Sequence, residues 1–567
     1  MAHPRRGELS LLLAWRCVKP DPGMVRGGVP TRRPVSCRAM IPHVGNASAT
    51  RRRGALLIGA ILLLALVLRL IGIDFGLPNE SHAYPYNPDE WTPMQVLRGM
   101  DPAHLDFNPH YYFNPTLQYY IYGATFGLAH VTGIVNIRGD ERFYFEHPEQ
   151  IARMILAGRL WSVLFGVLTV WLVYRLSRRL GLSRELSLRA ALLLAIFPAH
   201  IIHGHFMTVN SPVTFWTTLS LLALVRWTDR PGIRSAILAG LAIGLAITTK
   251  YSAVILLPVA AVAALLILRR RGVRAAFLES AALGIAALVA FVAGTPYAVL
   301  AWPEFRDGFI QMTTYFAAGP PPGGPAAALG KVLAMYLYSA TPGLLVAGLA
   351  GIWTLWRHRT PGRLMLVTFL VAFVVSTIKA GALASDSRFL PIFPAMAISA
   401  AFAFGALLRR RRALGLAALA VTIWLVVIAD IAYLGRFVGT MPQEAASDWM
   451  RRHLPDSPLV HLAGTSIYYF PDLPMRERVA EDNPGSYRRE TAWRFVPGRD
   501  YPSARPAEPD VVVLTSWTAR KPAELEWLDD PAYVVVATFP GKVRLFGRRW
   551  PVPLDLYDTD TWVLRRR

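Results

Sequence analysis

Arg51-Arg52-Arg53-Gly54-Ala55-Leu56-Leu57-Ile58-Gly59-Ala60-Ile61-Leu62-Leu63-Leu64-Ala65-Leu66-Val67-Leu68 is a cluster of arginines followed by an unbroken apolar run. A helix needs about 20 such residues to cross roughly 30 Å of hydrocarbon. Within lipid a helix satisfies every backbone polar group inside its own segment, so this reading decides the fold. The same pairing of basic cluster and apolar run recurs along a chain of 567 residues that is 53% hydrophobic. The expected class is therefore mainly α, a polytopic membrane protein.

Further clusters lie at Arg175 to Arg184, Arg226 to Arg234, Arg269 to Arg274, Arg357 to Arg363 and Arg409 to Arg412. Lys and Arg concentrate in the cytoplasmic loops of membrane proteins, so the clusters set the orientation. Threading the chain with all of them on one side gives about eleven spans: 54–73, 152–174, 186–204, 211–227, 233–249, 251–268, 275–297, 332–356, 363–380, 388–408 and 413–434. This leaves the loop 74–150, a second loop near 298–330 and everything after Gly435 on the outer face. The net charge of +23 thereby finds its explanation in topology, and nucleic acid is not expected as a partner.

Three parts follow. Residues 1–50 are rich in Arg, Pro and Gly and read as a disordered or mis-annotated cytoplasmic N-terminus, with Met24 and Met40 as alternative starts. No small-residue cleavage site closes the first apolar run, so a cleaved signal is not expected. Residues 51–434 form the transmembrane domain, with the loop 74–150 as its candidate catalytic segment. Residues 435–567 balance their charges and contain no spanning run, and they read as a small soluble α/β domain. Strand patterns fall at Leu459 to Ala463, Asp510 to Thr515, Tyr533 to Phe539 and Val543 to Phe546; helix patterns fall at Gln443 to His453 and Pro522 to Leu528. In the second outer loop, Pro303 to Ile310 reads as a short interfacial helix ahead of the flexible Gly319 to Pro325. Both cysteines, Cys17 and Cys37, precede the first span, so no disulfide framework is expected in the exported parts.

Polar residues gather where chemistry would need them. The loop carries Tyr86-Asn87-Pro88-Asp89-Glu90-Trp91, and Arg159, Lys250 and Arg388, the last two residues beyond Asp386, sit near the outer ends of spans. Ionisable groups beside hydrocarbon are costly and mark function. A carboxylate near cations at a lipid interface suits transfer of a group from a lipid phosphate: the cations stabilise the departing anion and the carboxylate takes a proton from an acceptor hydroxyl. Asp89 is the candidate base. Each residue has a plainer reading. Asn87-Pro88-Asp89-Glu90 would also start a helix, Lys250 and Arg388 would also anchor at headgroups, and Arg159 would also pair with an acid. His200, His203 and His205 are only partly one-faced and read as packing. His82, His104 and His110 with Asp101 and Asp106 match no defined ligand spacing, so the metal site is unknown.

The segment Asn87-Pro88-Asp89-Glu90, followed by Phe113-Asn114-Pro115-Thr116-Leu117-Gln118-Tyr119-Tyr120, resembles the first outer loop of the GT-C membrane glycosyltransferases, specifically the protein O-mannosyltransferase-like family 39. Arg159-Leu160-Trp161-Ser162, Gly244-Leu245-Ala246-Ile247-Thr248-Thr249-Lys250-Tyr251 and Ser387-Arg388-Phe389-Leu390-Pro391 follow in the family's order. The chain departs from it at Asn210, where many relatives carry Asp, and at Asn114-Pro115-Thr116, where His-Pro-Pro is common. The resemblance implies a GT-C-like bundle, a polyprenyl-phosphate-linked sugar donor and an inverting transfer with Asp89 as base. Glu90 would orient the acceptor or tune Asp89, while Arg159, Lys250 and Arg388 would contact the donor phosphate. Asn114, Tyr111 and Tyr112 are the expected acceptor or sugar contacts. The resemblance allows a divalent metal and fixes no certain cofactor. The implied partners are the polyprenyl-phosphate sugar, an acceptor protein, lipid or polysaccharide, and membrane lipids. The implied place is the plasma (inner) membrane, multi-pass, with the active site and C-terminal domain periplasmic or extracellular. The alternatives are a transporter or flippase of lipid-linked intermediates, which would want polar groups at mid-bilayer, and a catalytically inert scaffold.

Overall fold

A computed structural model describes residues 44–79, 82, 84–317, 324–380, 385–454, 459–462, 478–480, 487–489, 494–497, 509–516, 522–545, 548–549 and 560–567. Cys17, Met24, Cys37, Met40, the side chain of Asp386 and most of the proline-rich stretch after Gly319 lie outside the described residues.

Seven helices among the described residues are long and apolar enough to cross a membrane: Arg52–Leu70, Pro148–Arg179, Tyr251–Gly294, Leu329–Arg357, Pro361–Ile378, Ile392–Arg410 and Arg412–His453. The pair Arg184–Ala195 and Pro198–His205, bent by 61°, makes an eighth if it is one span. The expected spans map onto these helices and onto Asn210–Asp229 and Ile233–Ile247. Two of them, 251–268 and 275–297, fall within one helical stretch of 44 residues. At 1.5 Å per residue that stretch would be about twice as long as the hydrocarbon is thick. It breaks at Gly272, whose φ of 81° a residue with a Cβ would adopt only under strain, in the middle of Arg269-Arg270-Arg271-Gly272-Val273-Arg274. The helix Gly324–Arg357 breaks likewise at Thr341, just before Pro342.

Small residues bring the helices together. A Cβ added at Gly240 or Gly244 would run into the backbone of Leu283 or Ala287, so Ile233–Ile247 lies backbone to backbone against the second arm of Tyr251–Gly294. A large apolar core, from Val170 and Leu194 through Trp227 to Phe369 and Phe393, fills the bundle.

The arginine clusters from Arg175 onward come together at one end of the bundle. Arg179 pairs with Asp229 at 3.2 Å, Arg270 donates to the Thr228 carbonyl at 3.0 Å, and Arg363 donates to the Leu180 carbonyl at 2.9 Å while lying over the Phe402 ring. Within the helix Pro148–Arg179, Arg159 lies twenty residues from Arg179, about 30 Å away along the axis. The long loop after Leu70 therefore belongs to the opposite end.

The C-terminal part carries a five-stranded sheet in the spatial order Arg494–Pro497, Leu459–Leu462, Val511–Thr515, Thr561–Arg566, Tyr533–Phe539. The first two neighbour pairs are parallel and the last two antiparallel. The helices Pro442–His453 and Pro522–Asp529 form close to the expected places. Sequence reading misses the strand Thr561–Arg566, because its arginines read as a polar tail until pairing with Val511–Thr515 buries Val563 and Leu564. Val543 from this part packs with Phe75, Tyr86, Phe206 and Phe437. Glu444 accepts from Asn79 and lies 3.5 Å from His82. These contacts fasten the C-terminal part to the loop that bears Asp89.

Candidate active site

The segment around Asp89 starts a helix, as its local sequence allows. Asn87 caps the turn Pro88–Glu90 by accepting from the Asp89 amide at 3.0 Å, and the helix Trp91–Arg98 follows. This short turn sends its two acids in opposite directions: Asp89 is exposed and Glu90 is fully buried.

Glu90 faces Arg159 in a two-pronged pair. Arg159 Nε and Nη2 donate to Oε1 and Oε2 at 2.8 and 2.7 Å, and both side chains are wholly buried. The Met207 amide also donates to Oε1, at 2.7 Å. Arg159 Nη1 donates to the carbonyls of Ile73 and Phe75, both at 2.7 Å. A guanidinium fork matched to a carboxylate is the strong form of such a bond. The arrangement ties the helix Pro148–Arg179, the chain leaving the first helix, and the Met207 turn to the residue next to Asp89.

Around Asp89 the loop supplies Tyr111, Asn114 and Tyr119. The rings of Tyr111 and Tyr119 meet edge-on at 6.1 Å, and Asn114 Nδ2 donates to the Tyr119 hydroxyl at 3.5 Å. Burial pushes the Tyr111 phenol up to about 12; the Asn114 bond pulls against this and the charge of Asp89 adds to it. Tyr111 thus stays a neutral hydroxyl beside the exposed carboxylate.

Lys250 follows the helix Ile233–Ile247 and donates from Nζ to Asn210 Oδ1 at 2.8 Å. The segment is fixed to the loop by hydroxyls. Thr248 bonds Thr295 at 2.5 Å, Thr116 donates to the Gly294 carbonyl at 2.8 Å, and the Leu117 amide donates to the Thr248 carbonyl at 3.3 Å. Tyr251, next to Lys250, donates to the Tyr112 carbonyl at 3.2 Å and lies within electrostatic reach of Tyr111. A carboxylate and an ammonium thus border one aromatic patch, and the ammonium donates to a neutral amide oxygen.

Residues 138–305 match the family described as Dolichyl-phosphate-mannose-protein mannosyltransferase. Two curated relatives are an undecaprenyl phosphate-alpha-4-amino-4-deoxy-L-arabinose arabinosyl transferase of Pseudomonas aeruginosa, 35% identical over 131 residues, and one of Pseudomonas fluorescens, 33% identical over 179. These matches cover 20% and 29% of this chain, and only 24% and 32% of the relatives' own length. The crystal structure of ArnT from Cupriavidus metallidurans in the apo state superimposes with a TM-score of 0.50 at 16% identity, covering 91% of this chain and 98% of that one. The fold is that of the GT-C glycosyltransferases.

On this GT-C frame several expectations change. Arg159, expected at the donor phosphate, is wholly buried and bonds Glu90 and two carbonyls. Glu90, expected to orient the acceptor or tune Asp89, is wholly buried in that pair and presents no surface to solvent. Tyr112 turns inward against Phe305 and donates to Asn108 at 2.5 Å, so of the two adjacent tyrosines only Tyr111 reaches the Asp89 patch. Arg388, on the short helix Asp386–Phe389, lies half-buried near Lys331, on a different segment from Lys250.

The histidines separate. His82 contacts Tyr84 and Glu444, His104 pairs with Asp101 at 2.6 Å, and His110 pairs with Glu304 at 2.9 Å. Among the described residues no three His, Cys, Asp or Glu side chains converge as a metal site. His200 bonds buried Arg69 at 2.6 Å, and His205 is held between the carbonyls of Ile201 and Ile71, so these two serve the interior. Sequence reading overlooks Glu304, whose only local signal is its place in the first turn of Trp302–Ala317. It also overlooks Glu444, which has no signal near the site at all.

Proposed function

We propose that this chain is a membrane glycosyltransferase that moves a sugar from a polyprenyl-phosphate carrier to an acceptor on the outer face of the plasma membrane, with inversion at the anomeric carbon. The observation that carries the reading is the division of labour in Asp89-Glu90. One acid is consumed by a buried ion pair that fixes the turn, and the other is presented, exposed, beside Tyr111 and Asn114.

In this reading the acceptor hydroxyl oxygen attacks the anomeric carbon, Asp89 takes its proton, and the bond from that carbon to the phosphate oxygen breaks with its electron pair on the phosphate. The phosphate leaves as an anion and needs no acid to protonate it. One base is sufficient and no covalent sugar-enzyme intermediate forms. Lys250 is the first cation for the departing phosphate, with Arg388 and Lys331 adding positive charge from a second segment. The arginine clusters, gathered at the far end of the bundle, support placing this chemistry on the outer side. The curated relatives, named for undecaprenyl-phosphate-linked sugar transfer, support the donor class.

The test is Asp89→Asn in membranes supplied with labelled lipid-linked sugar. Transfer is expected to vanish while insertion and thermal stability stay unchanged, since Asp89 is exposed and its backbone amide, not its carboxylate, makes the capping bond. A variant that retained near-full transfer would overturn the assignment.

A further inference from the structure

The loop segment bearing Tyr111 and the helix Trp302–Ala317 flank an open cleft of about 480 Å³, within the ~300–1,000 Å³ common to small-molecule sites. Gly308 makes the approach of the helix to the loop feasible, because a Cβ there would lie 2.9 Å from the Tyr112 side chain. Tyr111, Tyr112 and Phe113 all line the cleft, Tyr112 being the buried one of the three. Phe113 meets Tyr315 edge-on at 5.5 Å and Tyr111 at 6.4 Å, which makes an aromatic wall.

The facing wall is polar. Glu304, Asp307 and Gln311 recur at helical spacing and all line the cleft. Each carboxylate is steadied through a single oxygen. Asn108 at 3.1 Å and His110 at 2.9 Å both bond Glu304 Oε2, and Arg306 places both its bonds on Asp307 Oδ1. Among the described residues nothing donates to Glu304 Oε1 or Asp307 Oδ2, and Gln311 adds an amide that both donates and accepts.

A sugar ring has the matching two-sided chemistry. Its C–H face packs on aromatic rings and its hydroxyls donate to carboxylates. We propose that this cleft binds a sugar ring, stacked on Tyr111 and Phe113 and hydrogen-bonded by Glu304, Asp307 and Gln311. Tyr111 borders both the cleft and Asp89, so a ring held there directs its edge toward the base. The assignment rests on the proposed transfer only for the ring's role in catalysis; binding stands apart from it. The ring belongs to either the acceptor or the donor, and the two sources separate by experiment.

The test is saturation-transfer NMR on the full-length protein in detergent, with methyl glycosides of common hexoses in one arm and a short-chain prenyl-phosphate sugar in the other. Saturation of ring protons is expected in at least one arm. It should fall at least tenfold in Phe113→Ala and severalfold in Gln311→Ala, whose side chain is exposed and whose loss leaves the fold intact. It should persist in Asp89→Asn. A glycoside signal marks the acceptor, and a signal from the prenyl-phosphate sugar alone marks the donor. No signal in either arm, or signals indifferent to Phe113 and Gln311, would overturn the proposal even if Asp89→Asn abolished transfer. A functional Asp89→Asn enzyme with an intact signal would remove the transfer reading and leave the binding site.

Discussion

Replacing Glu90 by Gln probes how the turn bearing Asp89 is held. The carboxylate receives Arg159 Nε at 2.8 Å, Arg159 Nη2 at 2.7 Å and the Met207 amide at 2.7 Å, with no solvent contact. The glutamine oxygen keeps the bonds at the Oε1 position, but its NH2 then points at Nη2, donor against donor. A charge-assisted bond worth about 1.5–3 kcal/mol is lost, and Arg159 remains charged without its counter-ion. Removing one partner of a buried pair costs about 3–5 kcal/mol, and that is the expected destabilisation. Arg159→Met should cost a similar amount and also free the carbonyls of Ile73 and Phe75. Combining Glu90→Met with Arg159→Met should cost less than the sum of the two single changes by roughly 2–3 kcal/mol, because neither leaves a buried charge behind once both are gone. The assay is unfolding of the detergent-solubilised protein by SDS titration, run as a double-mutant cycle with transfer measured alongside. Transfer should fall in Glu90→Gln through kcat, as Asp89 loses its fixed position. A Glu90→Gln protein as stable and active as the parent, or strictly additive single changes, would refute the clamp.

Three further expectations follow from the same geometry. Lys250→Met removes an ammonium whose hydrogen bonds are worth about 1.5–3 kcal/mol, so polyprenyl phosphate should bind roughly 10- to 100-fold more weakly in a direct binding assay. Gly294→Val places a side chain within 2.6 Å of Thr248, and overpacking of about 1–3 kcal/mol should appear as a lowered melting temperature. The raised Tyr111 phenol gives a signed pH effect: its contribution to stability is whole below pH 10 and is lost as pH climbs through about 12. The phenolate absorbance missing from Tyr111→Phe should accordingly titrate near 12, and a step at 10 would contradict the packing.

The bundle was legible because lipid leaves the chain few choices. Each apolar run between arginine clusters must be a helix, and the runs from 54 to 434 appear as helices or helix arms close to where composition puts them. The site was legible in part. Asp89, Lys250 and Asn114 drew notice as polar residues at helix ends or in an aromatic loop. Yet in sequence Asp89 and Glu90 read as a pair, and Arg159 reads either as a phosphate ligand or as the partner of an unnamed acid, because a carboxylate's neighbour along the chain is visible and its partner 69 residues away is not.

The sequence by itself determined a multi-spanning helical protein, its arginine-rich end, and the loop in which acid chemistry would sit; those follow from local hydrophobicity and charge, which act residue by residue. Only the tertiary structure decided which of the two acids is buried against Arg159 and which is exposed. It also joined Glu304 to His110 and Glu444 to His82 across hundreds of residues. Burial and hydrogen-bond partners are properties of where segments meet, and about a third of a turn, the rotation between neighbours in the 3-10 segment Pro88–Glu90, puts two adjacent carboxylates into different environments.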